Sequence, residues 1–256
     1  MPRLHLFELE DQSWFPATIR DLSTDYLHFM QNAGAMHRAM LPFIEEALHG
    51  GRTTHIVDLC SGGTGPIPAM VSELRAKGTA ITATLTDLYP NVPALERAAA
   101  GSGGAIDFIA RPVDARAVPK DLHGLRTLFN GFHHFRPADA QAILRDAAAA
   151  GQPIAIFELS RRSTTMILQV LFVPLFVLLV TPFMRPFKWT RLFWTYVIPL
   201  VPLTCFWDGI VSQLRAYTVP ELRAMAAAAG SMTWRADEPR RYRTGARLTY
   251  LLGWPQ

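Results

Sequence analysis

The chain has 256 residues, which suits one α/β domain with an insertion. Half of the residues are hydrophobic and only 18% are charged, so there is more apolar surface than one water-soluble core needs. The net charge of +4 is compatible with binding to nucleic acid, anionic lipid or an anionic substrate. The two cysteines, Cys60 and Cys205, indicate no disulfide framework and fit a reducing compartment.

The first 50 residues are predicted to form a helical cap. Residues 1–16 contain no long apolar run, so we expect no signal peptide. Apolar side chains then recur at near-helical spacing: Trp14, Phe15, Ile19, Leu22, Tyr26, Phe29 and Met30. The pattern predicts a helix that covers the core, forms a lid over a pocket or faces a membrane.

Strands and helices alternate from residue 55 to residue 159. Short β-rich runs predict strands within 55–60, 80–87, 105–115, 125–131 and 153–159. Segments that begin at proline or end at glycine predict helices at 65–78, 92–101 and 137–151. This alternation is typical of a parallel, doubly wound α/β sheet.

The C-terminal region is predicted to add a helix at 218–230 and strands at 231–238 and 245–254. The arginine-rich connection between these strands is too short for a parallel crossover, so the pair is predicted to be antiparallel. The sequence therefore predicts an α/β fold with a seven-stranded, mostly parallel sheet and an antiparallel C-terminal strand. An apolar helical hairpin is inserted after the fifth strand.

A glycine-rich turn, VDLCSGGTGP, follows the first predicted strand at 57–66. Gly62, Gly63 and Gly65 allow a sharp turn and let a ligand approach the backbone closely. The helix that follows offers free N–H groups and the positive end of its dipole. The turn therefore indicates a ligand site at this edge of the sheet.

Acidic residues stand at three successive strand ends: Asp58, Asp87 and Asp114. A carboxylate at Asp87 can accept both hydroxyls of a ribose, and Asp114 can accept from the exocyclic amine of an adenine. Together they describe a cofactor that contains adenosine. The glycine spacing matches neither a dinucleotide fingerprint nor a P-loop, and Asp58 would attract a cation, such as the amino group of S-adenosylmethionine.

The segment 55–159, with the two C-terminal strands, resembles the class I S-adenosylmethionine-dependent methyltransferases. The resemblance places motif I at 57–65 and motif IV at 128–135. It implies S-adenosylmethionine as the cofactor, bound by Asp58, Cys60, Ser61, Gly62, Gly63, Gly65, Asp87, Leu88, Asp114, Ala115, Asn130 and Gly131. The sequence departs from motif I, because Cys60 replaces the first glycine and Thr64 replaces the third. We interpret Cys60 as a packed loop residue rather than a nucleophile.

Two adjacent histidines, His133 and His134, follow the fourth strand and are candidate general bases, because imidazole titrates near neutral pH. We expect only one to face the pocket; alternatively, both cap the next helix or pack. Their adjacency is not the spacing of a helical metal pair, so no metal is predicted. The motif also differs from the N/D-P-P-Y/F of enzymes that methylate nucleic-acid bases, so no nucleic-acid partner is expected.

Charged residues flank the apolar segment. Asp208 is a candidate base or substrate anchor, with a helix N-cap as the alternative. Glu158 either positions substrate or holds the nearby arginines. Arg161 and Arg162 either contact lipid headgroups or an acidic substrate, or form a solvated or salt-bridged pair.

The segment 163–207 is the apolar insertion. Its 19 uncharged positions at 166–184 would span about 28 Å as a helix, close to the thickness of a bilayer core. Prolines would kink it, and Arg185, Lys188 and Arg191 lie in its middle. Trp189, Trp194, Tyr196 and Trp207 are residues that prefer a membrane interface.

Three arrangements of the insertion stay open: a transmembrane hairpin, a soluble hairpin packed inside a homodimer, and a shallow monotopic hairpin. The positive-inside tendency opposes the first, because three cations would have to cross. The shallow hairpin is compatible with the three charges, with the length of the segment and with its prolines. We therefore expect a peripheral protein on the cytoplasmic side of a membrane.

The predicted domains are the cap at 1–50, a cofactor-binding domain at 51–162 with 208–256, and the insertion at 163–207. The insertion would also form a wall of the acceptor pocket. We expect O-methylation of a lipophilic acceptor from the membrane, since a histidine base suits a hydroxyl or carboxyl group. The alternatives are a non-catalytic binding or scaffold protein with this fold, and an NAD(P)-dependent oxidoreductase.

Overall fold

The computed structural model describes residues 1–239 and 247–256. The predicted arginine-rich connection, from residue 240 onward, and the first two residues of the last predicted strand lie outside the described residues. The chain divides into two units. A sheet unit comprises 35–159 and the residues after 217, and a helical unit comprises 1–34 and 160–217.

These units differ from the predicted domains at three boundaries, one of which is a shift of three residues, because residues 160–162 belong to the helical unit. Residues 35–50, predicted as part of the cap, belong to the sheet unit, and residues 208–217 belong to the helical unit. Apolar side chains explain the difference at residues 35–50, because Phe43 packs with its ring 4.2 Å from the ring of Tyr250, a residue of the last strand. The remaining part of the cap, 1–34, joins the insertion in one unit.

Within the described residues, seven strands form a single sheet in the order β3-β2-β1-β4-β5-β7-β6. The strands are β1 (His55–Asp58), β2 (Thr82–Leu85), β3 (Ile106–Phe108), β4 (Leu125–Phe129), β5 (Ile154–Glu158), β6 (Thr233–Asp237) and β7 (Thr249–Trp254). The strands β1 to β5 pair in parallel, and β7 runs antiparallel to both of its neighbours. The predicted fold class is confirmed.

Ten α-helical segments lie in the described residues. They are α1 (Ala17–Ala33), α2 (His37–Gly50), α3 (Ile67–Ala76), α4 (Val92–Ala100), α5 (Pro137–Ala149), α6 (Thr164–Val170), α7 (Val173–Val180), α8 (Trp189–Leu192), α9 (Leu200–Arg215) and α10 (Val219–Ala227). Local signals begin several of them: Asn91 caps α4 through its side chain, and Thr218 and Glu221 form a capping box at α10.

The core of the sheet unit lies between the sheet and its helices. All five residues of β5 are buried, as expected of a central strand that is covered on both faces. Helices α2 and α3 contribute buried side chains such as Ile44, Met70 and Leu74 to the same cluster. Each such residue stabilises the fold by about 1.5–3 kcal/mol when fully buried. This packing fixes the strand ends that carry the candidate site.

The helical unit has its own apolar core. Helices α1, α7 and α9 meet there, and the buried residues are Ile19, Leu22, Tyr26, Val177, Met184, Val201 and Cys205. The prediction of a helix across residues 1–16 was wrong, because α1 begins at Ala17. That N-terminal segment instead follows α9, where Leu4 N donates to the carbonyl of Leu214 over 3.1 Å.

The insertion is broken at its prolines. Helices α6 and α7 are separate segments of an apolar stretch, Thr164–Phe183, that is long and apolar enough to cross a membrane by length and composition. A π-helical turn at Phe193–Val197 follows α8, and this segment meets α9 at an angle of 74°. The boundaries of α7 and α9 fall at prolines, since Pro174 lies in the first turn of α7 and Pro199 precedes α9.

Candidate active site

The glycine-rich turn after β1 is built from left-handed backbone conformations. Gly62 and Gly65 each have φ of 52°, while Cys60 has φ of 60° and Thr64 has φ of 100°. The two residues that depart from the expected motif thus occupy conformations that favour glycine, at a cost of about 1–3 kcal/mol each. The loop keeps the shape of a glycine-rich turn although two of its glycines are replaced.

The same turn leaves space for a ligand beside its backbone. A methyl group added at Gly62 or Gly65 would meet no heavy atom within 4 Å. At Gly131, an added methyl group would lie 3.6 Å from Cβ of Cys60, so the ends of β1 and β4 adjoin. Burial raises the pKa of the Cys60 thiol, which disfavours the thiolate that a nucleophile needs.

Asp58 is buried at the end of β1. Its side chain is only 1% exposed, and its oxygens accept from Ser61 Oγ at 2.7 Å and Thr127 Oγ1 at 2.6 Å. Burial raises the pKa of Asp58 to about 7, although both hydrogen bonds oppose this shift. The carboxyl group therefore ties the turn to β4 through these two protein hydroxyls.

Asp87 connects the end of β2 to the glycine-rich turn. One carboxylate oxygen accepts from Gly62 N at 2.8 Å, and the other accepts from Tyr89 N at 2.7 Å. Asp87 is half-buried and Leu88 is exposed, so the pair lies at the open edge of the sheet. The side chain thus ties the end of β2 to the glycine-rich turn, and its contact with a ribose stays a prediction.

Asp114 is paired within its own turn. Its carboxylate accepts from the guanidinium of Arg116, with the shortest contact at 2.7 Å, and this hydrogen bonding lowers its pKa. Arg116 also reaches Asp139 at 2.9 Å. An adenine amine would have to share the Asp114 carboxylate with this arginine. Ala115, beside it, is buried.

The residues that follow β4 form a network of hydrogen bonds with Glu158. His133 is 3% exposed, and its Nδ1 lies 2.6 Å from Glu158 Oε2 at the end of β5. The other oxygen of Glu158 accepts from the backbone N–H groups of Phe132 at 2.7 Å and His133 at 3.1 Å. Asn130 adds a second link between these strand ends, because its side-chain oxygen accepts from Leu159 N at 2.7 Å. Glu158 thus fixes the imidazole and its backbone together.

The two histidines differ in environment. The His134 ring lies 4.4 Å from the His133 ring, and His134 is only half-buried. Both residues belong to a short 3₁₀ turn at Phe132–His134. His133 is the histidine whose Nδ1 lies within hydrogen-bond distance of Glu158. Sequence reasoning placed Glu158 with substrate or with arginines and missed this pairing, since the two residues are 25 positions apart and no local pattern joins them.

No protein-family model matches the sequence, and no curated protein matches it. The structure is similar to solved structures. One is an O-methyltransferase from neocarzinostatin biosynthesis in complex with S-adenosylmethionine and 2-hydroxy-5-methyl naphthoic acid, with 17% identity, coverage of 94% of this chain and 59% of that chain, and a TM-score of 0.56.

Two further structures are also similar. The S-adenosylmethionine-dependent methyltransferase SibL in its apo form has 13% identity, coverage of 89% of this chain and 58% of that chain, and a TM-score of 0.54. An O-methyltransferase family 2 protein from Planctomyces limnophilus, in complex with apigenin, has 16% identity, coverage of 97% and 67%, and a TM-score of 0.51.

At these identities the likeness shows the fold. This chain has the fold of S-adenosylmethionine-dependent methyltransferases. It spans 59% of the length of the first of these structures and 58% of the second. The seven-stranded sheet and the turn after β1 are the parts of the methyltransferase fold that carry the residues described above.

Asp208 lies outside the sheet unit of this methyltransferase fold. It occupies the interior of α9, so the alternative prediction of a helix N-cap was wrong. Its oxygens accept from Leu9 N at 2.7 Å and Glu10 N at 3.1 Å, and burial raises its pKa to about 6. The side chain therefore anchors the N-terminal segment to α9, and its role as a base or substrate anchor stays a prediction.

Two of the predicted headgroup cations are paired inside the helical unit. Arg191 is 2% exposed, and its guanidinium lies 2.7 Å from Asp25 of α1. Lys188 reaches the same carboxylate oxygen at 2.7 Å. These hydrogen bonds hold the pKa of Asp25 below its usual value, although burial acts against them. Only Arg185 keeps the exposed position that was predicted for all three.

The remaining predicted contacts are also within the helical unit. Arg161 N donates to Gln213 Oε1 at 2.8 Å, and Arg162 donates to the carbonyl of Met1 at 3.2 Å. Trp207 donates from its indole to the carbonyl of Phe7 at 3.0 Å. Trp194 packs against the apolar core, whereas Trp189 is exposed. Of the three tryptophans, only Trp189 therefore has the fully exposed side chain expected at a membrane interface.

Proposed function

We propose that the protein is an S-adenosylmethionine-dependent O-methyltransferase. The observation that carries this proposal is the buried His133–Glu158 pair at the end of β4, on a sheet whose neighbouring strand, β1, ends in an open glycine-rich turn. The fold supports it, since the similar solved structures are methyltransferases. A positioned imidazole beside the site of a methyl donor suits removal of a proton from a hydroxyl acceptor.

The residues that would hold the cofactor line one edge of the sheet. The backbone of Gly62 to Gly65 offers close approach, and Asp87 would accept from the ribose. When bound, S-adenosylmethionine supplies an electrophilic methyl group on a sulfonium. The turn fits such a group better than a pyrophosphate, because Asp87 is acidic and no cationic side chain stands in the turn.

His133 would act as the base. Glu158 accepts from Nδ1–H, which places the proton-accepting lone pair on Nε2. The buried carboxylate also stabilises the imidazolium that forms when His133 takes the proton of the acceptor. Methyl transfer is an in-line displacement, so the remaining task of the protein is to align the acceptor oxygen with the methyl carbon.

We propose that the acceptor is lipophilic and is drawn from the cytoplasmic face of a membrane. The support is the helical unit, which exposes a run of large apolar side chains from Leu168 to Leu203. Self-association through the same surface is the competing explanation. A non-catalytic protein with this fold would share the surface but would show no turnover.

The test is methyl transfer from labelled S-adenosylmethionine to total membrane lipid, followed by mass analysis of the products. We expect a labelled lipophilic product from the wild-type chain and a loss of about 100-fold or more in His133→Ala. His123→Ala, which changes an exposed histidine of the same unit, is the matched control and should keep full activity. Absence of cofactor binding by calorimetry would refute the proposal, and binding of NAD(P) instead would support an oxidoreductase.

A further inference from the structure

The apolar stretch of α6 and α7 is hydrophobic on both its inner and its outer side. Val170 and Val177 are buried, and Val177 belongs to the core of the helical unit. The opposite side carries exposed residues at helical spacing, which we call the outer ridge: Leu168, Leu171, Phe172, Leu175, Phe176 and Leu179. A helix on a water-exposed surface has a polar outer side. The outer ridge has no such polar side.

Helix α1 of the same unit provides an internal comparison. It buries Ile19, Leu22 and Tyr26 in the same core, but its outward positions include the charged Asp21. α1 thus shows the amphipathic pattern of a helix in water, and α6 with α7 does not. The outward side chains of α1 and of α6 with α7 therefore differ in polarity.

The outer ridge continues into a loop, residues 183–189, which we call the tip. Its aromatic side chains are strongly exposed: Phe183 is 72% exposed and Trp189 is 76% exposed, and Phe187 packs edge-on against Trp189 at 5.1 Å. Exposed Trp and Phe side chains next to an apolar helix are typical of residues that enter the interface of a bilayer.

Arg185 is the cation that the tip presents outward. Lys188, also in the tip, and Arg191 share the carboxylate of Asp25. Arg185 donates to the carbonyls of Pro182 and Met184, and among the described residues it contacts no carboxylate. In the sequence Arg185 lies between Phe183 and Phe187, so its charge would meet the headgroups of a bilayer entered by the aromatic rings.

We propose that the outer ridge and the tip form a docking surface for a bilayer with anionic headgroups, and that Arg185 contacts the lipid phosphates. The proposal rests on the membrane site of the proposed function and deepens it. A second copy fits less well, because a two-fold contact would place this surface against itself, and residues 166–207 contain no acidic residue that could neutralise Arg185. A phosphate-rich surface supplies that charge.

The experiment is sedimentation of the full chain with vesicles of phosphatidylcholine alone or mixed with phosphatidylglycerol. We expect wild-type protein to bind the anionic vesicles more tightly. Phe176→Ser should weaken binding to both vesicles by about tenfold or more. Leu27→Ser is the matched control, because Leu27 of α1 is 45% exposed and Phe176 is 47% exposed, and it should bind as wild type.

Arg185→Gln should weaken binding about fivefold on anionic vesicles and leave binding to phosphatidylcholine unchanged. Lys120→Gln, which changes an exposed lysine of the sheet unit, is its control. Equal binding of wild type and Phe176→Ser would overturn the proposal. The proposal would also be overturned if light scattering showed that the wild-type protein is a soluble dimer and that Phe176→Ser is a monomer. Calorimetry with S-adenosylmethionine distinguishes failure of this docking proposal from failure of the proposed function. Neither Phe176→Ser nor Arg185→Gln should change the affinity for the cofactor.

Discussion

His133 Nδ1 lies 2.6 Å from Glu158 Oε2, and both side chains are buried. The pair links the ends of β4 and β5, two neighbouring parallel strands. The substitution Glu158→Gln tests the contact with His133. Glutamine keeps one oxygen that can accept from Phe132 N, but its NH₂ group cannot accept from Nδ1–H. The carboxylate is therefore a positioning group for the imidazole.

We expect Glu158→Gln to lower kcat by about 10–100-fold with little change in the dissociation constant of S-adenosylmethionine. Glu158→Asp should recover part of this loss. In a His133→Ala background, Glu158→Gln should have no further effect, because the two residues act as a unit. Steady-state kinetics and calorimetry measure both parameters. Additive losses in the double variant would show that Glu158 has no role in positioning His133.

Asp87 provides the test of the cofactor site. Asp87→Ala removes the acceptor for Gly62 N and the expected ribose contact, so affinity for S-adenosylmethionine should fall by about tenfold or more. Asp107→Ala, at an exposed acid on β3, should bind the cofactor as wild type. Isothermal titration calorimetry measures this difference, and unchanged affinity in Asp87→Ala would contradict the assignment.

The backbone of the glycine-rich turn predicts opposite effects for two neighbouring substitutions. Thr64→Gly relieves a left-handed conformation at φ of 100° and should raise the free energy of unfolding by about 1 kcal/mol. Gly65→Ala introduces a side chain at φ of 52° and should lower it by about 1 kcal/mol. Urea denaturation monitored by circular dichroism measures both. Destabilisation by Thr64→Gly would show that its side chain contributes more than the conformation costs.

The raised pKa of Asp58 predicts a pH dependence of stability. Its folded-state pKa of about 7 lies above the unfolded value, so its contribution is fully present below the unfolded pKa and is lost as pH rises through about 7. The sheet unit should therefore unfold more easily at pH 8 than at pH 5.5. Asp58→Asn should reduce this difference. Denaturant midpoints of the two proteins at both pH values test the prediction, and identical pH dependence would contradict it.

Asp25 supports a buried cation in the helical unit. Asp25→Ala leaves Arg191 buried without its carboxylate and should destabilise this unit by about 3–5 kcal/mol. Lys188→Ala, which removes the more exposed partner of the same carboxylate, should cost about 1 kcal/mol or less. Thermal unfolding followed by tryptophan fluorescence compares the two. Equal losses of stability in Asp25→Ala and Lys188→Ala would show that the burial of Arg191 does not determine how much the loss of Asp25 destabilises the unit.

The sequence by itself determined the order of strands and helices and which polar residues stand at the strand ends. The alternation from His55 to Glu158 follows from local hydrophobic patterns and from glycine and proline, which act over a few residues. The positions of Asp87, His133 and the glycine-rich turn at strand ends follow from the same patterns. Residues 1–16 were misjudged, because their backbone is held by α9, about 200 positions away.

Only the tertiary structure decided which of the charged residues face each other. Asp58 meets Thr127, Glu158 meets His133, and Arg191 meets Asp25, each across at least 25 positions of sequence. Such pairs depend on strand order and helix packing, and a carboxylate has the same sequence pattern whether it binds a ligand or a buried partner. For the same reason the sequence could not show which cation of the insertion is buried and which is exposed. Packing on α1 buries Arg191 and leaves Arg185 in contact with solvent.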